Sequence, residues 1–181
     1  MPEAKKRRSP KAGRAGSSKP ILFDTVLLSN FALAAGLEWL CMRYAGRGLV
    51  TTAVLDELAA GAACGLAALA PAAQILKQGG IRVISLEPAE RKTFTKLRRF
   101  LGAGEAASIA SAVSRGAVVA TGDRAARRAC EDHGLAVTGT IGILKASVAD
   151  GSLLLNEAEG MHTRMVDAGF YSPVKHLADL V

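Results

Sequence analysis

From residue 21 onward, apolar residues fall into two rhythms: brief unbroken runs, and longer stretches where they recur every three or four positions. The first rhythm suits buried strands and the second amphipathic helices. Residues 20–24, Pro-Ile-Leu-Phe-Asp, predict a first strand that ends on a carboxylate, and helical spacing over 26–36 follows, closed by Gly36. Residues 48–52 predict a second strand, with Thr51 or Thr52 capping a helix that runs through Leu58. A helix over 62–78, bent at Pro71 and stopped by Gly79-Gly80, leads to a third strand over 81–86. Pro88 suits the start of a helix over 88–100 with a basic face, and a further helix covers 104–115 before Gly116. Residues 117–121, unbroken and apolar, predict a fourth strand buried on both faces. A helix over 124–133, a short fifth strand over 135–137 and helices over 141–150 and 153–168 complete the pattern, with no internal repeat. Strands that alternate with helices in this way imply an α/β fold built on a parallel sheet.

Composition sharpens this in three places. The 181 residues suit one domain, and with 50% apolar but 4% aromatic residues its core is filled by Ala, Leu, Val and Gly. Seven of the 23 basic residues but one of the 16 acids fall in residues 1–20, which hold no aliphatic side chain larger than Ala after Met1. That segment is expected to be a disordered basic tail, with the folded domain over 21–181, so the pI of about 9.7 describes the tail more than the body. Cys41, Cys64 and Cys130 are odd in number and widely spaced, which argues for a reducing cytoplasm and for three buried apolar thiols. Asp24 interrupts the apolar stretch after the basic start, and Gly, Pro71 and Gln74 spoil 58–76 as a span, so no membrane partner is expected.

The chemistry rests on four acids. Asp24 follows the first predicted strand and Asp123 the fourth; in an open parallel sheet, sites form outside the carboxyl edge where strand order reverses. Glu57 lies about one turn into the helix after the second strand, and Glu105 starts a helix after Gly102-Ala-Gly104. Each acid alone reads as a helix cap or a first-turn acid, and Asp56 competes with Glu57. Their joint placement is what points to a site.

Four segments together resemble the PIN domain family. Asp24-Thr25-Val26-Leu27-Leu28 resembles its first motif, and Val54-Leu55-Asp56-Glu57-Leu58 its second. Residues 102–110, Gly-Ala-Gly-Glu-Ala-Ala-Ser-Ile-Ala, are similar to the third motif in its VapC-like, Gly-Glu variety. Residues 118–128, followed by 134–151, resemble the fourth motif and the end of that subgroup. The resemblance implies a three-layer sandwich with strand order 3-2-1-4-5. It further implies metal-dependent cleavage of single-stranded RNA, with Asp24, Glu105, Asp123 and Glu57 as catalytic acids and metal ligands. An all-oxygen donor set selects Mg²⁺ or Mn²⁺ over zinc. Gly122 departs from relatives that carry two adjacent acids in the fourth motif, where this chain reads Gly122-Asp123, which puts a second metal in question.

RNA contacts are expected from Arg124, Arg127 and Arg128, and from Arg98 and Arg99 on the helix before the third motif; a solvated basic face, or an acid partner for Arg127, is the alternative. The tail is either an RNA-attracting arm or idle. Thr121, Ser29 and Asn30 read as satisfied loop hydroxyl or amide groups before they read as site residues. Phe94, Phe100 and Trp39 read as core before stacking residues, and His133, His162 and His176 as surface or helix-end residues. The family also implies a small antitoxin protein and a homodimer as partners, with the apolar stretch over 62–78 as a candidate surface. A catalytically weak RNA- or partner-binding scaffold is the competing function. A haloacid-type phosphatase is disfavoured because Val26 stands where its second acid belongs.

Overall fold

The computed structural model of the chain describes residues 19–180; the basic tail expected over 1–20 lies outside them except for Lys19 and Pro20. Five strands form one parallel sheet: β1 (Ile21–Phe23), β2 (Gly48–Thr51), β3 (Arg82–Ile84), β4 (Val118–Ala120) and β5 (Val137–Thr138). Their order is β3-β2-β1-β4-β5, as the motif resemblance implies. Among the described residues the helices are α1 (Thr25–Leu33), α2 (Leu37–Tyr44), α3 (Thr52–Ala63), α4 (Ala72–Gln78), α5 (Arg91–Leu97), α6 (Ala103–Arg115), α7 (Arg124–Asp132), α8 (Thr140–Ala149) and α9 (Leu155–Asp167).

The period-two geometry of a strand divides the core in two. Ile21 and Phe23 point to one face of the sheet and join Leu27, Phe31, Leu40, Leu58, Leu76, Ile143 and Met165. Leu22, Leu49 and Val119 point to the other and meet Leu97, Ile109, Ala126 and Cys130. The small side chains of α6, with Ala106, Ala107, Ala110 and Ala112 buried, let that helix lie close against β1, β2 and β4. Helices on both faces make the three-layer sandwich.

One helix is added and four predicted elements change. Leu37, Leu40, Cys41 and Tyr44 carry a helical spacing that forms α2, a helix absent from the sequence reading. The helix after β2 continues past Leu58 to Ala63, and 62–78 is not one helix: Gly65, at φ +106, ends α3, and a 3-10 turn over Ala67–Leu69 precedes α4. Pro71 lacks the N–H that a continuous helix needs and sits as the N-cap of α4. Residues 88–90 form a 3-10 turn, so α5 starts only at Arg91, and β5 lies at Val137–Thr138 rather than 135–137. In that turn the buried Glu90 accepts hydrogen bonds from the Glu87 amide, Ser111, Ser114 and Arg115, tying α5 to α6.

Candidate active site

Parallel pairing of β1 with β4, Phe23 opposite Ala120, brings their carboxyl ends level, so Asp24 and the Thr121–Asp123 loop meet at one edge. Asp24 is the N-cap of α1: its Oδ1 accepts the Leu27 amide at 2.7 Å. The side chain is buried, and Oδ2 has no hydrogen-bond partner. Burial pushes its pKa up to about 6, against the Thr121 hydroxyl, the Leu27 amide and the nearby Gly122 amide, which lower it; the Glu105 charge adds to the rise. Thr121 and Gly122 thus lie near the carboxyl, while neither forms a hydrogen bond with Oδ2.

Asp123 repeats the device on β4. It caps α7, with Oδ1 accepting the Ala126 amide at 2.8 Å, while its own amide donates to Thr121 Oγ1 at 3.1 Å. Glu105 reaches back from the first turn of α6 so that Oε2 accepts the Gly102 amide at 3.0 Å. Its pKa is raised by burial first, held down by the Gly102 amide, and raised further by the charges of Asp123 and Glu57. In each of these three carboxylates one oxygen is engaged by a backbone amide.

Glu57 differs. Its Oε1 accepts the Gly104 amide at 2.7 Å and its Oε2 accepts the Thr25 hydroxyl, so both oxygens are bonded and the first turns of α1 and α6 are tied to α3. A Cβ at position 104 would overlap Glu57 Oε2 and lie 2.8 Å from Thr25 Oγ1, so only glycine lets this carboxylate approach. Asp56, the competing acid, points to solvent. Neither Thr25 nor Gly104 was singled out from the sequence as a bonding partner; their positions beside Asp24 and Glu105 in the motifs were the available signal.

Do these groups fit a divalent cation? Among the described residues no three His, Cys, Asp or Glu side chains stand close enough to form a closed metal cage. The donor chemistry nonetheless fits: hard oxygens, a buried carboxylate oxygen without a partner, and neighbouring charges that add to the raised pKa of Asp24 and of Glu105.

The cations divide into two groups. Arg99, Arg124 and Arg128 are exposed and form no ion pair among the described residues. Arg98 folds back to donate to the Leu101 carbonyl, and Arg127 donates to the carbonyls of Thr121 at 2.8 Å and Thr138 at 3.2 Å. Arg127 thus pairs with backbone at the ends of β4 and β5, not with an acid, and Gly139 leaves it room. Asn30 donates to Thr140 Oγ1, the satisfied state expected of it.

Three side-chain expectations need correction. His162 is buried, because the C-terminal segment returns over α9 and its Nε2 meets Ser172 Oγ at 2.7 Å. Cys64 is exposed at the end of α3, whereas Cys41 and Cys130 are buried, with thiols pushed up to about 11 by that burial. Phe100 is 61% exposed, while Trp39 stacks on Phe31 and Phe94 packs against the α5–α6 side of the core.

No helix among the described residues is long and apolar enough to cross a membrane. No curated protein matches the chain. A family model described as a PIN domain matches residues 20–181, which spans the whole sheet, every helix and all four acids. The chain belongs to the PIN domain family and carries its nuclease-type fold.

Proposed function

We propose that the protein is a metal-dependent endoribonuclease that hydrolyses phosphodiester bonds of single-stranded RNA. One observation carries the reading: Asp24 keeps a carboxylate oxygen buried and unpartnered beside the Glu105 charge. Capping α1 needs only Oδ1, and an orphaned buried oxygen destabilises a fold unless it serves a ligand.

Asp24, Glu105 and Asp123 would hold Mg²⁺ or Mn²⁺ through the oxygens their backbone amides leave free, with Glu57 completing the acidic quartet. When bound, such a cation polarises a phosphoryl oxygen and lowers the pKa of water. The remaining work falls to the chain itself. Thr121 holds the Asp123 backbone in place and turns toward Asp24. Arg127 braces the Thr121 carbonyl. Arg124, Arg128 and Arg99 offer unpaired charge to phosphates, a sequence-blind and salt-sensitive attraction.

A labelled single-stranded RNA should be cut in Mg²⁺, with cleavage abolished by EDTA and by Asp24→Asn. Full activity in Asp24→Asn would end the assignment. Gly122 favours a second reading, a PIN-fold RNA- or partner-binding scaffold with weak catalysis; binding without Mg²⁺-dependent cleavage would establish it instead. Two cellular roles are compatible with the first reading: a housekeeping ribonuclease, or a cytoplasmic toxin held by a small antitoxin protein, with the domain acting as a homodimer. In the toxin role, induced expression should arrest growth in a manner that Asp24→Asn abolishes.

A further inference from the structure

The segment from Arg91 to Leu101 contains five basic residues and no acid. Its apolar side chains mostly turn inward: Leu97 is 2% and Leu101 6% exposed, and Phe94 packs on the same core. Phe100 does not. It stands out between those buried leucines, in a turn fixed by the Phe100 and Leu101 amides donating to the Leu97 carbonyl and by Arg98 on the Leu101 carbonyl. Arg99 and Lys96 beside it are exposed and form no ion pair among the described residues.

The turn also borders the acidic crevice. Gly102, two residues after Phe100 and so at most about 7 Å along the chain, donates its amide to Glu105 at 3.0 Å, and a Cβ there would lie 3.7 Å from Glu57 Oε1. A single rigid aromatic on a cationic segment that itself contains no acid is the form of a stacking platform for an unpaired base, with phosphates on either side. A protein-binding surface would instead need a contiguous apolar patch, and the other apolar side chains of this segment are turned inward.

We propose that Phe100 stacks an unpaired nucleobase of the strand entering the acidic crevice, with Arg99 and Lys96 contacting its phosphates. This rests on the nucleic-acid reading above and names the part of the surface that selects single strands. A base on Phe100 and a phosphate at the carboxylates then belong to neighbouring nucleotides of one strand.

The test is fluorescence anisotropy of the full chain with a labelled single-stranded RNA in EDTA, where cleavage is blocked. Phe100→Ala weakens binding roughly five- to hundredfold without changing its salt dependence, and Phe100→Trp restores it. Arg99→Gln lowers the salt slope by about 1. In a series of oligonucleotides each with one abasic position, one position abolishes the difference between wild type and Phe100→Ala. If wild type binds and Phe100→Ala binds equally, the platform is wrong and the nuclease reading stands. If Phe100→Ala spares RNA but breaks a protein complex, the residue serves a partner and the platform is likewise overturned. If wild type binds no single-stranded RNA, both fall together.

Discussion

Replacing Asp24 by Asn should make the metal-free protein more stable while it destroys the site. The argument runs through linkage. The carboxyl has a pKa of about 6 in the fold against 3.8 for a solvent-exposed aspartate. Below 3.8 both states are protonated and the group costs nothing. Between those values the native state binds more protons, so stability falls as pH rises, and above 6 the full penalty is present. At about 1.4 kcal/mol per unit, ionised Asp24 costs the apo fold on the order of 3 kcal/mol near neutral pH. Asn keeps the cap of α1 through its carbonyl oxygen and carries no charge to bury.

Urea denaturation in EDTA at pH 7.5 and pH 4 measures this directly. The variant should exceed wild type by about 3 kcal/mol at pH 7.5, or roughly 6–12 °C in melting temperature for a domain of this size. The difference should shrink to about 0.6 kcal/mol at pH 4. Adding Mg²⁺ should then stabilise wild type by about 2.7 kcal/mol at a hundred times its Kd and leave the variant unchanged. Equal or lower stability of Asp24→Asn at pH 7.5, or a gap that ignores pH, would refute the reasoning.

Four further outcomes follow from the same geometry. Mg²⁺ affinity, followed by calorimetry, should fall as pH drops through about 6, because Asp24 must ionise to offer its free oxygen. Glu57→Gln, which can still bond Gly104 and Thr25, should retain more Mg²⁺ affinity and cleavage than Glu57→Ala, and Gly104→Ala should behave like the latter because its Cβ overlaps the Glu57 carboxylate. A Cβ added at Gly122 meets nothing within 4 Å, so Gly122→Asp begins in open space, and cleavage at limiting Mg²⁺ should rise if the lack of a second acid weakens catalysis. Glu90→Gln should cost about 1–3 kcal/mol in denaturant titrations. Burial opposes ionisation of Glu90, yet its hydrogen bonds from Ser114, the Glu87 amide and Arg115 prevail and lower its pKa, so its contribution is present above the usual carboxylate range and lost as pH falls below it.

What the sequence disclosed is what short-range pattern can carry. Strand ends at Asp24 and Asp123 were legible because an apolar run that stops on an acid is a local signal, and strand order followed from motif resemblance. What it hid depends on long-range packing. Glu57 bonds an amide 47 residues away, and no pattern around either residue announces the pair. Nothing near Arg127 in sequence shows that the ends of β4 and β5 place two carbonyls before it. Phe100 and Phe94 have similar neighbours in sequence, and only the turn after α5 decides which one faces solvent. His162 is buried by a segment ten residues further on.

The structural and the functional readings of these acids, which compete when each residue is taken alone, are not alternatives. Asp24, Asp123 and Glu105 each use one oxygen to satisfy an amide at the start of a helix, and that bond fixes the direction of the other oxygen. Helix starts are where backbone donors are unsatisfied and where the helix field favours negative charge, so they can assemble carboxylates that would otherwise disperse. Parallel strands bring several such starts to one edge of the sheet. A fold of this kind therefore gathers acids as a by-product of capping its helices, and Asp24 is the point where capping alone no longer accounts for the arrangement, since its second oxygen is buried without a partner. Alanine at any of these positions would remove cap and ligand together; only Asn or Gln separates the two roles.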